Sequence, residues 1–191
     1  PRRAALELLW EMFGDEIRSM THLKSLQAFA HEELHAIAVM LVKQLNAPRT
    51  SSVGRLFDAI ASLLGICQQA SFEGQAAMAL EFLLDDKEIE EYYEFDLQGK
   101  IIDWAPVVTA ILQDLERQIP SNKISAKFHN ALVEIIIAVA RRSGESQIVL
   151  TGGCFQNKYL TERAIQRLRE EGFCPYWPQH IPPNDGGLAA G

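Results

Sequence analysis

Apolar residues recur at helical spacing through the first half of the chain and predict a mainly helical region. In residues 1–13 the apolar positions share one helix face, and Gly14 is placed to end the helix. The range 21–45 has the same spacing and predicts one long helix. The range 53–64 predicts another, which Gly65 ends, and residues 74–84 predict a shorter one.

The pattern changes in the second half, which predicts an α/β region. Strand-like runs at 92–96 and 100–103 flank a glycine turn and predict a β-hairpin. Further elements are expected as helices at 105–118 and 125–142, a buried strand at 148–150, a helix at 158–171 and a strand at 173–177. We therefore predict a single domain over residues 1–191, with a mainly helical part at 1–90 and an α/β part at 91–191.

Composition and charge narrow the class of protein. The chain is 48% apolar and 23% charged, as expected of a soluble globular protein, and its net charge of −7 comes without a basic block. This balance argues against nucleic acid as a partner. The three cysteines are widely spaced, which indicates a reducing compartment. Neither a membrane span nor a signal peptide is visible, so we expect a cytoplasmic protein without a membrane partner.

Two glycine loops carry the candidate chemistry. Thr151-Gly-Gly-Cys-Phe-Gln-Asn157 joins a predicted strand to a helix start, where backbone N–H groups are expected to face an anion or nucleotide. Pro182-Pro-Asn-Asp-Gly-Gly187 follows the next strand, so both loops should open on one sheet edge. The alternative is an ordinary β-α-β unit with glycine turns, in which Asn157 only caps the helix.

These loops resemble the C-terminal end of the HypF-type carbamoyltransferases, which serve [NiFe]-hydrogenase maturation. Three further segments resemble the same family in chain order, at 50–65, 72–81 and 124–130. The resemblance implies an α/β fold: the C-terminal lobe of an actin/Hsp70-like (ASKHA, Kae1-like) nucleotide-binding domain, with a largely helical N-terminal part. It also favours HypF over the related tRNA threonylcarbamoyl transferases.

The resemblance implies a set of site residues, although the chain departs from the family pattern at two of them. Arg55 stands where the pattern has glutamate, and Gln75 replaces the second glycine of a pair. The implied nucleotide-binding residues are Asp58, Gly74, Gln75, Gly152, Gly153 and Asn157, and the implied metal ligand is Asp185.

The activity that the resemblance implies is ATP-dependent carbamoyl transfer. Carbamoyl phosphate and ATP would form carbamoyl-adenylate, and the carbamoyl group would pass to the C-terminal cysteine of a HypE-type partner. A divalent metal of the iron or zinc type would bridge the phosphates, held by Asp185 and by histidines outside this chain. The expected partners include upstream YrdC-like, zinc-finger and acylphosphatase-like domains of one polypeptide, so we expect the isolated chain to be inactive.

Two other functions stay open at this stage. An O-carbamoyltransferase of the antibiotic or nodulation type shares the Kae1-like fold, and a non-catalytic docking lobe is the second alternative. No catalytic side chain is assigned, because Cys154 has no base close in sequence and His129 lies in an apolar helix typical of a core histidine.

His31-Glu-Glu-Leu-His35 matches the His-Glu-x-x-His signature of zinc proteases. On a helix the two histidines could face one metal. A third ligand is lacking, because the chain has no Asp, Glu or His between His35 and Asp58. We therefore expect no zinc there.

Overall fold

The computed structural model of the chain describes residues 1–45, 47–48, 50–85 and 89–190, without the side chains of 188–190. These residues form two compact units, Pro1–Leu80 and Glu81–Gly191. The predicted division of the chain near residue 90 stays a prediction.

The unit Pro1–Leu80 is helical, as predicted. Its elements are α1 (Arg2–Phe13), a 3₁₀ turn (Gly14–Ser19), α2 (Lys24–Gln27), α3 (His31–Val42), α4 (Val53–Leu63) and all but the last residue of α5 (Gln75–Glu81). α1 packs against α4. The core includes Leu6 and Leu9 of α1 with Phe57 and Ile60 of α4, each at most 1% exposed. Burial of each such side chain contributes about 1.5–3 kcal/mol.

The range 21–45 does not form the single helix that its spacing predicts, because residues 28–30 break it between α2 and α3. The Arg2 guanidinium donates to the carbonyl of Ala28 and stacks on the ring of Phe29 at 4.6 Å. That carbonyl is therefore bound outside the helical ladder by a group distant in sequence. Apolar periodicity carries no information about such a contact.

The unit Glu81–Gly191 has the predicted α/β character. Its elements are β1 (Asp96–Gln98), β2 (Ile101–Asp103), α6 (Ala105–Glu116), α7 (Ser121–Ser143), β3 (Gln147–Val149), α8 (Lys158–Glu170) and β4 (Cys174–Tyr176), with 3₁₀ turns at Gly153–Gln156 and Asp185–Ala190. β1 and β2 form the predicted antiparallel hairpin, although β1 begins only at Asp96. No helix among the described residues is long and apolar enough to cross a bilayer.

The β3-α8-β4 segment forms the predicted βαβ unit. β3 and β4 pair in parallel, with Gln147 opposite Cys174 and Val149 opposite Tyr176. The N–H of Leu150 extends this ladder by donating to the Tyr176 carbonyl at 2.8 Å. α8 packs against α7 and β4, and its buried residues are those predicted for one apolar face: Leu160, Ala164, Ile165 and Leu168. The two strands therefore end side by side, and the two glycine loops follow them.

Tyr93 lies outside the hairpin that was expected to include it and belongs to a buried polar cluster. Its hydroxyl donates to Asp114 Oδ2 at 2.8 Å, and Lys127 Nζ lies 2.6 Å from the same oxygen. Burial and the hydrogen bond to Asp114 raise the pKa of Tyr93 well above its usual range. Burial opposes ionisation of Asp114, but the hydrogen bonds from Lys127 and Tyr93 outweigh it and lower the pKa of that carboxyl.

Replacing Tyr93 by phenylalanine should lower the free energy of unfolding by about 2 kcal/mol, because a buried carboxylate loses one charge-assisted hydrogen bond. The matched control is Tyr176→Phe, at a side chain that is 50% exposed, which should cost at most about 0.5 kcal/mol. Urea unfolding measures both values. Equal losses for the two variants would contradict a stabilising role for this cluster.

Candidate functional site

The loop that follows β3 contacts the loop that follows β4. The N–H of Gly152 donates to the carbonyl of Pro183 at 2.8 Å. Gly153 faces Asn184, since a Cβ added at Gly153 would lie 3.9 Å from the Cβ of Asn184. The prediction that both glycine loops open on one sheet edge is confirmed.

The second loop is shaped by its own backbone and by Asn184. Asn184 Oδ1 accepts from the N–H of Gly186 at 3.1 Å, and the Asn184 carbonyl accepts from the N–H of Gly187 at 2.9 Å. A Cβ at Gly187 would lie only 2.5 Å from the carbonyl oxygen of Pro182, so a side chain would force the backbone to move. Asp185 sits between these residues and is exposed.

The first loop has two adjacent backbone donors that remain open. Within the described residues, the N–H groups of Gly153 and Cys154 have no hydrogen-bond partner, whereas that of Phe155 donates to the Gly152 carbonyl at 3.0 Å. Adjacent open amides are suited to an anionic oxygen. The Cys154 thiol is half-buried, and burial raises its pKa, which disfavours the nucleophilic thiolate.

Asn157 is a buried helix cap. The Ser125 carbonyl can only accept, so the 2.7 Å contact places the proton of His129 on Nδ1. His129 Nε2 then accepts from Asn157 Nδ2 at 2.9 Å, and Asn157 Oδ1 accepts from the N–H of Leu160 at 2.8 Å. The N-cap interpretation is confirmed, and His129, at 0% exposed, is the core histidine that the sequence indicates.

The start of α8 is not the open anion site that its position after a glycine loop predicts. Glu81 Oε1 accepts from the N–H groups of Lys158 and Tyr159 at 2.7 and 3.3 Å. Asn157 Oδ1 accepts from the N–H of Leu160, so the first three amides of this helix already have acceptors. Anion binding at this loop is thereby limited to the amides that precede the helix.

Asp58 lies in α4, in the other unit. Arg55, the residue that departs from the family pattern, places its guanidinium 2.8 Å from Asp58 Oδ2. The Asp58 side chain is 15% exposed, whereas that of Arg55 is 63% exposed. The carboxylate is therefore oriented by an exposed neighbour, and no side chain among the described residues is hydrogen-bonded to its second oxygen.

Gly74 and Gln75 stand at the start of α5. Gly74 has φ +81°, and a Cβ added there would meet nothing within 4 Å, so its backbone borders open space. Gln75 Oε1 accepts from the N–H of Ser71 at 2.6 Å, which fixes the turn before the helix. Of the predicted nucleotide residues, these two and Asp58 lie in the helical unit, and the others lie in the α/β unit.

An open groove of about 630 Å³ runs along one face of α8. Arg169 stacks on the ring of Trp177 at 5.5 Å within it. Its charged lining is balanced between basic and acidic side chains: Lys158 and Arg169 against Glu162 and Glu170. This balance gives the groove no preference for a phosphate.

Comparison with known proteins identifies the family. The family described as "Carbamoyltransferase, Kae1-like Domain, second subdomain" matches residues 1–191. The chain belongs to the HypF-type carbamoyltransferase family. Carbamoyltransferase HypF of Synechocystis sp. is 42% identical over 207 residues, which cover 100% of this chain and 27% of that protein. The probable carbamoyltransferase HypF of Methanocaldococcus jannaschii is 29% identical and is covered to 25%.

Solved HypF structures share the fold. A crystal structure of full-length HypF in a phosphate- and nucleotide-bound form is 35% identical, with a TM-score of 0.88 over 98% of this chain and 30% of that one. The predicted Kae1-like fold is therefore confirmed. This chain spans about a quarter of the length of the curated HypF relatives described above.

Asp185 is the implied metal ligand of this HypF lobe. Within the part of the chain that the structure describes, no group of three or more His, Cys, Asp or Glu side chains is arranged to hold a metal ion. His31 and His35 are both exposed on α3. One carboxylate fits a shared metal only as one ligand among several.

Two residues of this region were missed or underrated by sequence reasoning. Glu81 lies 77 positions from the helix start that it caps, so no local pattern points to it. His129 was recognised as a core residue, but its bond to Asn157 depends on how α7 packs against α8. Its position in the segment 124–130, which resembles the family, was the available signal.

Acidification should destabilise the fold through His129. Burial lowers its pKa to about 4 from 6.5, so the folded state stays neutral while the unfolded chain binds a proton. This contribution to stability is complete above pH 6.5 and is lost as pH falls toward 4. From pH 7 to 5, the stability advantage of wild type over His129→Gln should shrink by about 2 kcal/mol. Urea unfolding at both pH values measures this difference, and the exposed His180→Gln variant is the control that should show no such change. If the stability difference between wild type and His129→Gln is the same at pH 7 and pH 5, the buried neutral state of His129 is contradicted.

The His-Glu-x-x-His segment should hold no zinc. His31→Ala and His35→Ala should retain the metal content of the wild-type protein, because two exposed histidines lack the further ligands that a tetrahedral site needs. Elemental analysis of the purified proteins measures this. A stoichiometric metal that is lost on His31→Ala would overturn the dismissal of this motif.

Proposed function

We propose that this chain is the nucleotide-holding lobe of a carbamoyltransferase that uses carbamoyl phosphate and ATP. Carbamoyl-adenylate is the intermediate, and the acceptor is the C-terminal cysteine thiolate of a HypE-type partner in [NiFe]-hydrogenase maturation. The observation that carries the proposal is the pair of contacting glycine loops at the ends of β3 and β4. They present open amides and an exposed carboxylate within a chain of the HypF family.

The support for a nucleotide is both geometric and comparative. Among the described residues, the N–H groups of Gly153 and Cys154 have no acceptor, and they suit a phosphate oxygen. Gly152 keeps a positive φ of 106°, which favours glycine and leaves the backbone without a side chain. A full-length HypF with 35% identity was crystallised in a phosphate- and nucleotide-bound form.

The side chains divide into those that contact the nucleotide and those that hold the loops. Asp58 would accept from the ribose hydroxyls, and the backbone of Gly74 and Gln75 would border the ribose. Asn157 uses both ends of its amide within the protein, so it serves the nucleotide by fixing the loop. This lobe would act by positioning an activated carbonyl and by stabilising its charge.

The metal site of the whole enzyme would take one ligand from this lobe. Asp185 would hold a divalent iron or zinc ion together with histidines from another part of the polypeptide. When bound, that ion neutralises phosphate charge. Asp185 is suited to this role because it is exposed and no cation among the described side chains pairs with it.

The proposed partners follow from the length of the relatives. Because this chain covers 27% of the Synechocystis protein, we place it in a longer polypeptide. On the family resemblance, we propose that its other domains are YrdC-like, zinc-finger and acylphosphatase-like and that it works in the cytoplasm. The chain alone should not transfer carbamoyl groups. Turnover by the isolated chain with carbamoyl phosphate and ATP would contradict a site shared with other domains.

The decisive experiment compares acceptors in the full-length polypeptide. With ATP and carbamoyl phosphate, we expect pyrophosphate release and carbamoylation of a peptide that ends in cysteine. A matched peptide that ends in serine should stay unmodified. Transfer to the serine peptide would favour the O-carbamoyltransferase alternative, and no turnover with either acceptor would favour the docking lobe.

Asp185→Ala and Asp185→Asn should reduce carbamoyl-dependent ATP turnover of the full-length protein by about 10²–10³. The free energy of unfolding should change by at most about 0.5 kcal/mol, because the side chain is exposed. The control is Asp15→Asn, at a side chain that is 79% exposed, which should leave turnover unchanged. If both Asp185 variants keep wild-type rate and metal content, Asp185 is only a turn residue.

A further inference from the structure

The carboxylate of Glu81 occupies the helix start that follows the first glycine loop. The first amides of an α-helix have no acceptor within the helix. In α8 these are the N–H groups of Lys158, Tyr159 and Leu160. Asn157 reaches only Leu160, and Glu81 Oε1 accepts from the other two at 2.7 and 3.3 Å.

Glu81 supplies the charge that an anionic ligand would otherwise supply. A carboxylate at a helix N-terminus is stabilised by two charge-assisted hydrogen bonds and by the helix dipole. It also repels a second anion from the same amides. Among the described residues, a phosphate that approaches the loop therefore meets the adjacent acceptor-free donors of Gly153 and Cys154, directly before the helix.

The first glycine loop runs directly into the start of α8, so a contact that holds the helix start also restrains the loop. The 3₁₀ turn Gly153–Gln156 ends on Asn157, whose N–H donates to the carbonyl of Cys154 at 3.2 Å. Asn157 is itself held by His129 on the buried side. Glu81 holds the adjoining residues Lys158 and Tyr159, so the loop ends in a segment restrained by two separate contacts.

We propose that Glu81 is a positioning residue for nucleotide binding: it anchors the first turn of α8 and thereby directs the Gly153 and Cys154 amides toward the phosphate. This role rests on the proposed function of the lobe. Glu81 touches no nucleotide and acts only through the loop. One oxygen of Glu81 accepts both hydrogen bonds. A glutamine at this position can therefore keep both hydrogen bonds through its amide oxygen, although they are weaker because that oxygen carries no charge. An alanine has no acceptor and loses both.

The test uses Glu81→Ala and Glu81→Gln in the full-length polypeptide. The matched control is Glu162→Gln, which changes a carboxylate of α8 that is 68% exposed and whose Oε1 lies 3.9 Å from Lys158 Nζ. Without nucleotide, amide hydrogen exchange of Phe155 and Asn157, whose N–H groups are hydrogen-bonded in the loop, should accelerate about fivefold in Glu81→Ala, as expected for the loss of a helix cap. The increase should be smaller in Glu81→Gln and absent in Glu162→Gln. Unchanged exchange of Phe155 and Asn157 in Glu81→Ala would overturn the proposal.

Kinetics then separate positioning from support of the fold. The KM for ATP should rise about fivefold in Glu81→Ala, with kcat within about twofold of wild type and an intermediate KM in Glu81→Gln. A merely structural residue would lower kcat through the folded fraction and leave KM unchanged, and that result would overturn the proposal. Absence of ATP-dependent turnover in the wild-type protein would reject the proposed function instead, while the exchange data still decide whether Glu81 orders the loop.

Discussion

The structure around the candidate site depends on one constraint: the amides that begin a helix have no acceptor within the helix and must find one elsewhere. In α8 those acceptors are Asn157 within the chain segment itself and Glu81 from far upstream. His129 orients Asn157 because the Ser125 carbonyl leaves only one of its ring nitrogens able to accept. The glycine loop therefore ends on a segment whose polar groups are already satisfied, and its own open donors lie just before that segment.

This arrangement changes what a strand–glycine–helix pattern implies about a ligand. The pattern alone suggests that a phosphate sits on the helix start. Here an internal carboxylate fills that position, and the open amides belong to Gly153 and Cys154. The adjoining loop contributes Asp185 in a turn that only glycine at 187 permits. The lobe thus offers rigid backbone donors and one exposed carboxylate, a combination suited to holding a charged substrate in place for other groups.

Much of the fold was predictable because its signals are local. The apolar stripe of α8, the strand pair around it and the glycine loops all follow from spacing and turn chemistry, and the quoted motifs pointed to the family that the comparisons confirm. The errors arose where a distant residue decides local structure. Arg2 binds the carbonyl of Ala28, where the predicted helix is broken. Tyr93 lies outside its predicted strand and donates a hydrogen bond to Asp114. Glu81 at α8 is a third case, since its partner lies 77 positions away.

A crystal structure of the full-length polypeptide with a bound adenine nucleotide tests the central claim most directly. The account predicts a phosphate oxygen within hydrogen-bond distance of the Gly153 and Cys154 amides, with Glu81 still bound to those of Lys158 and Tyr159. A phosphate bound on the first turn of α8 with Glu81 displaced, or a nucleotide seated in the groove beside Trp177, would contradict it.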